Sequence, residues 1–143
     1  MPTLTRRRTA DSHRKTWHIY YGDVRVGAIG ERAGVPVHGD QWGWSCGFYP
    51  GLEPRQHRCG TAATFEAARL GFEADWNTLL AEIPQGAFEQ YRHHRALHTW
   101  KETMWAAGLP LPTQVASGRS QCYCGAEIDV RSVDQHIDAE HMT

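Results

Sequence analysis

Four residues near the C-terminus have the types and the spacing of metal ligands. Cys122 and Cys124 are separated by one residue, and His136 and His141 follow, five positions apart. Zn²⁺ takes four nitrogen and sulfur ligands in a tetrahedron, and structural zinc sites are closed by cysteine and histidine side chains. The sequence therefore predicts a zinc site at these four residues. The alternative is an acidic, unstructured tail in which they occur by chance.

Two short elements would have to hold these ligands together. Gly125 permits a tight turn that presents both sulfur atoms to one ion. Ser132 and Gln135 have the spacing of a capping box, which predicts a helix from about Val133 that carries both histidines. A segment this short cannot fold on its own apolar contacts, whereas zinc binding, about 10–16 kcal/mol in finger peptides, would fold it.

The segment 122–143 resembles the C2H2 zinc finger family, in which two cysteines lie on a hairpin, two histidines on a helix, and two apolar residues between them form a small core. Ile128 and Val133 occupy the positions of that apolar pair. The cysteines are one residue apart, where the family has roughly two to four. Eleven residues separate Cys124 from His136, where about twelve are usual. The resemblance implies a zinc-binding module confined to this segment.

The charge of this segment argues against DNA recognition. It carries five acidic residues against one arginine, and two thiolates cancel the charge of a bound Zn²⁺, so DNA phosphates would repel it. The base-reading positions of the finger family correspond to Asp129, Ser132 and Gln135, and none of them is a basic residue aimed at guanine. We therefore expect a structural or protein-binding module.

The composition is that of an ordinary globular protein, with 143 residues, 41% of them hydrophobic and 22% charged. No apolar run approaches the ~18 residues of a membrane-spanning helix, so no membrane association is expected. The N-terminus lacks the apolar stretch of a secretory signal, which predicts a cytoplasmic protein with reduced thiols. Its four cysteines are then expected to be metal ligands or buried thiols.

Charge and chain-breaking residues predict four segments. Residues 1–15 carry five basic residues against one acidic residue and are predicted to be a disordered basic leader. Residues 16–107 form an α+β domain, residues 108–121 a linker rich in Pro, Gly and Ser, and residues 122–143 the zinc-finger-like module. The leader could bind phosphates through Arg6, Arg7, Arg8, Arg14 and Lys15.

The pattern within 16–107 predicts a three-stranded antiparallel sheet. Gly22-Asp23 separates two β-rich runs and predicts a hairpin. A two-residue turn there would place six side chains on one face, paired as Tyr21 with Val24, Ile19 with Val26, and Trp17 with Ala28. A third strand is predicted in "WGWSCGFY", where large apolar residues alternate with small ones. The abundant tryptophans are expected to form core rather than a base-stacking platform.

Two helices are predicted to follow the sheet. The first lies in "TFEAARLGFEADWNTLLAEI", with Thr64 as its N-cap and an apolar stripe that packs on the sheet. The second lies in "AFEQYRHHRALHTWKETMWAA" and is apolar on two sides, so it is sandwiched or forms an interface. Its two stripes are Leu97, Trp100 and Met104, and Tyr91, His98 and Trp105. The predicted fold class is therefore α+β: three strands on a helix, a second helix and a zinc-finger-like module.

Other groups of chemically capable residues have simpler interpretations. His94, His98 and Glu102 have ligand spacing along one helix face, but packing explains His98. His57 and Cys59 could form a nucleophile and base in a hydrolase, although proximity in sequence does not establish that geometry. Cys46 is expected to be a buried thiol. Because the chain lacks the nucleotide-binding, zinc-protease and serine-hydrolase motifs, we expect no enzyme activity.

Two further resemblances concern residues 17–83. The segment that begins "WSCGFYPG" is similar to the strand-to-helix region of HicB-type antitoxins, through Phe48, Pro50, Gly51, Gly60, Thr64, Glu66 and Ala67. The opening "WHIYYGDVRVG" resembles a family of small uncharacterised bacterial proteins, which implies a bacterial cytosolic setting. We expect a non-enzymatic zinc-binding adaptor with a protein partner. The alternative is an antitoxin-like regulator that binds nucleic acid through its basic leader. The sequence does not predict the oligomeric state.

Overall fold

The computed structural model describes residues 3–10 and 13–142. The chain divides into two compact units, Met1–Phe88 and Glu89–Thr143. Residues 1–2 and 11–12 of the predicted leader, and residue 143 of the predicted metal module, lie outside the described residues. Within the described residues, no helix is long and apolar enough to cross a membrane.

The first unit is an antiparallel sheet with a helix packed on one face. In its described residues the elements are β1 (Leu4–Arg8), β2 (Thr16–Tyr21), β3 (Val24–Glu31), β4 (Trp42–Cys46), β5 (Arg58–Ala62) and α1 (Phe65–Leu80). Each strand pairs with the next along the chain. The buried core between the sheet and α1 includes Ile19, Val24, Val26, Ile29, Cys46, Phe48, Ala68, Phe72, Trp76 and Leu79. The α+β class is confirmed, but the described sheet has five strands, not three.

The first additional strand, β1, lies within the predicted disordered leader, and that prediction is wrong for residues 4–8. β1 pairs with β2 from Leu4 opposite Tyr21 to Arg8 opposite Trp17. The guanidinium of Arg6 lies 5.1 Å from the ring centroid of Trp17, and that of Arg7 lies 4.6 Å from the ring of Tyr20. Charged residues are common on edge strands, and here the guanidinium groups lie over aromatic rings of β2.

The second additional strand, β5, is not predicted from the sequence. Its core-facing residues are Arg58, Gly60 and Ala62, so it lacks the alternation that identifies a half-buried strand. A Cβ atom on Gly60 would lie 2.2 Å from the ring of Trp44. The absence of a side chain at Gly60 therefore leaves space for the indole. The Trp44 indole donates a 2.8 Å hydrogen bond to Asp75, which also accepts a 3.1 Å bond from Arg58.

The predicted hairpin is right in its turn and wrong in part of its register. Tyr21 pairs with Val24 across Gly22-Asp23, as expected. A β-bulge between Ile19 and Tyr20 then shifts the pairing, so that Ile19 lies opposite Gly27 rather than Val26, and Trp17 opposite Ile29 rather than Ala28. The bulge places both Val26 and Ile29 in the core although they are three residues apart.

The first predicted helix is confirmed. α1 begins at Phe65, and the hydroxyl of Thr64 accepts a 3.1 Å hydrogen bond from the backbone N–H of Ala67. This cap satisfies one of the N–H groups that have no partner at a helix start. The predicted stripe supplies the buried residues Ala68, Phe72, Trp76 and Leu79.

The second helix, α2 (Ala87–Ala106), is also confirmed, but its two predicted apolar stripes differ in burial. In the second unit, Trp100 and Met104 form a buried cluster with Cys122, Ile128 and Ile137, and Leu97 packs against it. Trp105 on the other stripe is 85% exposed, so α2 buries one side and presents the other.

The predicted linker, residues 108–121, is structured. It contains a 3₁₀ turn (Pro112–Gln114) and the strand β6 (Arg119–Gln121), and Leu109 and Leu111 pack against the buried cluster. β6 pairs with β7 (Glu127–Asp129), and α3 (Val133–Glu140) follows. Residues 89–143 therefore form one unit, in which the predicted finger shares its core with α2.

Cys46 is a buried thiol, as predicted, at 1% exposure. Burial raises its pKa to about 12, and the nearby Asp75 carboxylate contributes. We expect iodoacetamide at pH 8 to label the exposed Cys59 and to leave Cys46 unmodified, which peptide mass spectrometry would show.

Because the pKa of Cys46 is raised above the usual 9.0, the thiol's contribution to stability is complete below pH 9 and is lost as the pH rises towards 12. In Cys46→Ala this alkaline loss should be reduced; an unchanged pH profile would contradict the assignment.

Candidate metal centre

The two cysteines lie on the turn that joins β6 to β7. The backbone N–H of Cys122 donates to the carbonyl of Ala126 at 2.8 Å, and that of Gly125 donates to the carbonyl of Cys122 at 2.9 Å. Gly125 has φ of +97°, a conformation that favours glycine, as the predicted tight turn requires. This turn brings both sulfur atoms to one side although a single residue separates them.

The two histidines come from α3 and its C-terminal end. His136 lies one turn into the helix, and His141 is the C-cap residue, with its N–H bonded to the carbonyl of Ile137 at 2.8 Å. α3 begins at Val133, as predicted, but the predicted capping box does not form. Instead, the side chain of Asp129 accepts 2.8 and 2.9 Å bonds from the N–H groups of Ser132 and Arg131. The hydroxyl of Ser132 accepts from the N–H of Asp129 at 3.0 Å and is thereby held in this turn.

These elements bring all four predicted ligands together. One ligand atom from each of Cys122, Cys124, His136 and His141 lies within 4.8 Å of the others. The Nε2 atom of His141 lies 3.4 Å from the sulfur of Cys122 and 3.2 Å from Nε2 of His136, whose distance to the sulfur of Cys124 is 3.5 Å. A tetrahedral zinc ion would separate sulfur from nitrogen by about 3.5 Å and nitrogen from nitrogen by about 3.3 Å. These three separations match that geometry, and the four side chains lie close enough together to coordinate one metal ion.

Two neighbouring side chains hold the ligands in place. The indole N–H of Trp100 donates a 3.2 Å hydrogen bond to the sulfur of Cys122. The hydroxyl of Tyr123 lies 2.9 Å from Nδ1 of His141, which leaves Nε2 directed at the other ligands. Burial, together with the nearby His136, lowers the pKa of His141, so its imidazole is neutral near pH 7 and can donate a lone pair to a metal.

The other candidate residues form no second metal centre. Among the described residues, the Cys₂His₂ cluster is the only group of three or more His, Cys, Asp or Glu close enough to hold an ion. The exposed side chains of His98 and Glu102 lie 3.5 Å apart along α2. His57 and Cys59 are both exposed, and the ring of His57 lies against Gly47.

Three residues near the site were not recognised as part of it from the sequence: Trp100, Tyr123 and Ile137. Ile137, which lies between the two histidines in the sequence, is fully buried, and its spacing of four from Val133 is a signal that could have identified it. Trp100 lies on the predicted buried stripe of α2, but its hydrogen-bond partner is 22 residues away along the chain. Nothing in the sequence distinguishes Tyr123 as a contact of His141.

Comparisons with known proteins give no match. No protein-family model, curated protein or solved structure matches the chain. The metal-binding interpretation therefore depends on the geometry of the four ligands, and the predicted similarity of residues 17–83 to HicB-type antitoxins and to small bacterial proteins has no support from these comparisons.

Proposed function

We propose that this chain is a non-enzymatic zinc-binding protein whose second unit folds around a structural Zn²⁺ and binds another protein. The observation that carries the proposal is the cluster of two sulfur and two nitrogen atoms, which lie within 4.8 Å of one another and are close enough to hold one ion. Thiolate and imidazole ligands in a tetrahedron favour zinc. Four protein ligands leave no open position for a substrate, which supports a structural rather than a catalytic metal.

Native mass spectrometry of the intact chain tests the metal directly. We expect one zinc ion per chain, lost on treatment with a strong chelator and restored when zinc is added back. A chain that is folded, fully reduced and free of zinc after purification with added zinc would overturn the proposal.

The surface of the second unit supports a protein partner. α3 carries Asp134, Asp138 and Glu140 and no lysine or arginine, so DNA phosphates would be repelled. Two of the three positions that read bases in zinc fingers, Asp129 and Ser132, are held in the turn before α3. Trp105 presents an indole that is 85% exposed, and tryptophan is the type of residue that anchors protein interfaces.

A pull-down from the source organism can test this role with matched variants. The wild-type chain should retain a partner that Trp105→Ser loses. Leu70→Ser, which removes another exposed apolar side chain from the first unit, should retain it. A partner held equally by all three proteins would show that Trp105 is not the anchor, and no enriched protein would argue against the adaptor role.

The open face of the sheet supports a second candidate, binding of single-stranded nucleic acid. The pairing register directs these strand residues away from α1: Thr5, Arg7, Thr16, His18, Tyr20, Arg25, Ala28, Gly30, Gly43, Ser45, Cys59 and Thr61. None of these described residues is acidic. Arg7 and Arg25 could pair with phosphates along this face.

Fluorescence anisotropy with a labelled single-stranded oligonucleotide tests this candidate. Binding should weaken with salt, and Arg7→Gln/Arg25→Gln should reduce the slope of log K against log[salt] by about 1.4, or about 0.7 per lost contact. Arg55→Gln, which removes an exposed arginine from a 3₁₀ turn before β5 (Pro54–Gln56), is the control. An absence of binding at low salt, or equal slopes for all three proteins, would exclude this face.

A further inference from the structure

We propose that Trp100 is a positioning residue of the metal centre, whose indole N–H holds the sulfur of Cys122 as a metal-binding thiolate. The inference rests on the proposed zinc site and adds a residue outside the finger-like segment to it. The hydrogen bond from Nε1 of Trp100 to the sulfur is 3.2 Å long, and the two residues are 2% and 1% exposed.

The two sulfur atoms have different surroundings. Cys124 is exposed, so water can solvate its thiolate. Cys122 is buried, and a buried charge is costly unless a hydrogen bond or a counter-ion compensates for it. The indole N–H is a donor only, and a charge-assisted bond to a thiolate satisfies both groups. Trp100 therefore compensates the sulfur that water cannot reach.

Packing fixes the direction of this indole. Trp100 belongs to the buried cluster with Met104, Ile128 and Ile137, which joins α2 to the hairpin and α3 of the same unit. Burial alone does not provide an indole with a partner, since Nε1 of the buried Trp76 has none among the described residues. The contact with Cys122 is thus a specific feature of this cluster.

The consequence is that α2 takes part in metal binding. Residues that hydrogen-bond to metal ligands typically change metal affinity by about 10–100-fold when they are replaced. An N–H···S bond also withdraws electron density from the sulfur, which should raise the energy of the thiolate-to-metal charge-transfer band when Co²⁺ replaces Zn²⁺.

The test compares Trp100→Phe with Trp105→Phe, which removes an exposed indole from the same helix. Trp100→Phe keeps an aromatic ring in the cluster and removes the donor. We expect it to bind one metal ion with about 10–100-fold lower affinity and to move the Co²⁺ charge-transfer band to lower energy. Trp105→Phe should match the wild type in both measurements. Wild-type affinity and an unshifted band in a folded Trp100→Phe variant would overturn the inference.

A measurement on the wild-type chain covers the case in which Trp100→Phe does not fold. With an NMR-active cadmium isotope in the site, the indole proton of Trp100 should show scalar coupling to the metal across the N–H···S bond. The indole proton of Trp105 should show none. Absence of the coupling at Trp100 would overturn the inference while leaving the zinc site intact, whereas a wild-type chain that binds no metal would overturn the proposed function itself.

Discussion

Replacement of Cys124 by serine should abolish zinc binding and unfold the segment from β6 to the end of α3. Cys124 is exposed, so the substitution removes a ligand and almost no packing. The elements it affects are short: β6 and β7 have three residues each and α3 has eight. Isolated helices shorter than about 12–15 residues are marginal in water. These elements therefore depend on the cluster they share with α2 and, we expect, on the metal. The binding energy at stake is about 10–16 kcal/mol, judged from finger peptides.

Native mass spectrometry would report the loss of zinc, and hydrogen exchange would report the loss of structure. Amides of residues 119–141 should exchange much faster in Cys124→Ser, while those of α1 should be unchanged, because none of the four ligands belongs to its core. Cys59→Ser is the matched control, since it removes another exposed thiol and should keep both zinc and protection. Slow exchange of residues 119–141 in a zinc-free Cys124→Ser variant would show that the unit folds without metal.

The features that the sequence predicted correctly have local signals. The ligands lie within 20 residues of one another, and Gly125 and the start of α3 at Val133 are local features of the same segment. The cap at Thr64 and the stripe of α1 likewise need only a few neighbouring residues to be recognised. Such patterns predict structure because the interactions that enforce them span a few residues.

The features that the sequence did not predict depend on distant partners. Leu4–Arg8 has one apolar residue, and it becomes a strand because β2 offers an edge and aromatic rings. β5 lacks a pattern because its small residues accommodate the Trp44 ring. The partnership between Trp100 and Cys122 joins two segments that were predicted to lie on either side of a linker. In each case the determining contact is tertiary, so the periodicity within one segment does not predict it.

Replacement of Gly27 by alanine should strongly destabilise the first unit. A Cβ atom there would lie 2.1 Å from the backbone oxygen of Ser45 and 2.7 Å from the ring of Phe72. A clash with a backbone atom cannot be relieved by a change of rotamer, so the cost should reach the upper end of the usual 1–3 kcal/mol for overpacking, about 3 kcal/mol. In a unit of this size that corresponds to a fall in Tm of more than about 10 °C, measurable by near-UV circular dichroism.

Gly43→Ala is the matched control for the clash. The Cβ atom of the new alanine would lie 3.4 Å from the flexible side chain of Arg32, an ordinary contact, so the Tm of this variant should change little.

The comparison of Gly27→Ala with Gly43→Ala also tests the bulge between Ile19 and Tyr20. Gly27 can lie beneath Phe72 because the bulge brings Val26 and Ile29 into the same core. In a regular strand successive residues point to opposite faces, so Gly27 would face away from the core that contains Val26. Equal melting temperatures for the two variants would therefore contradict both the close approach of Phe72 and the bulged pairing that produces it.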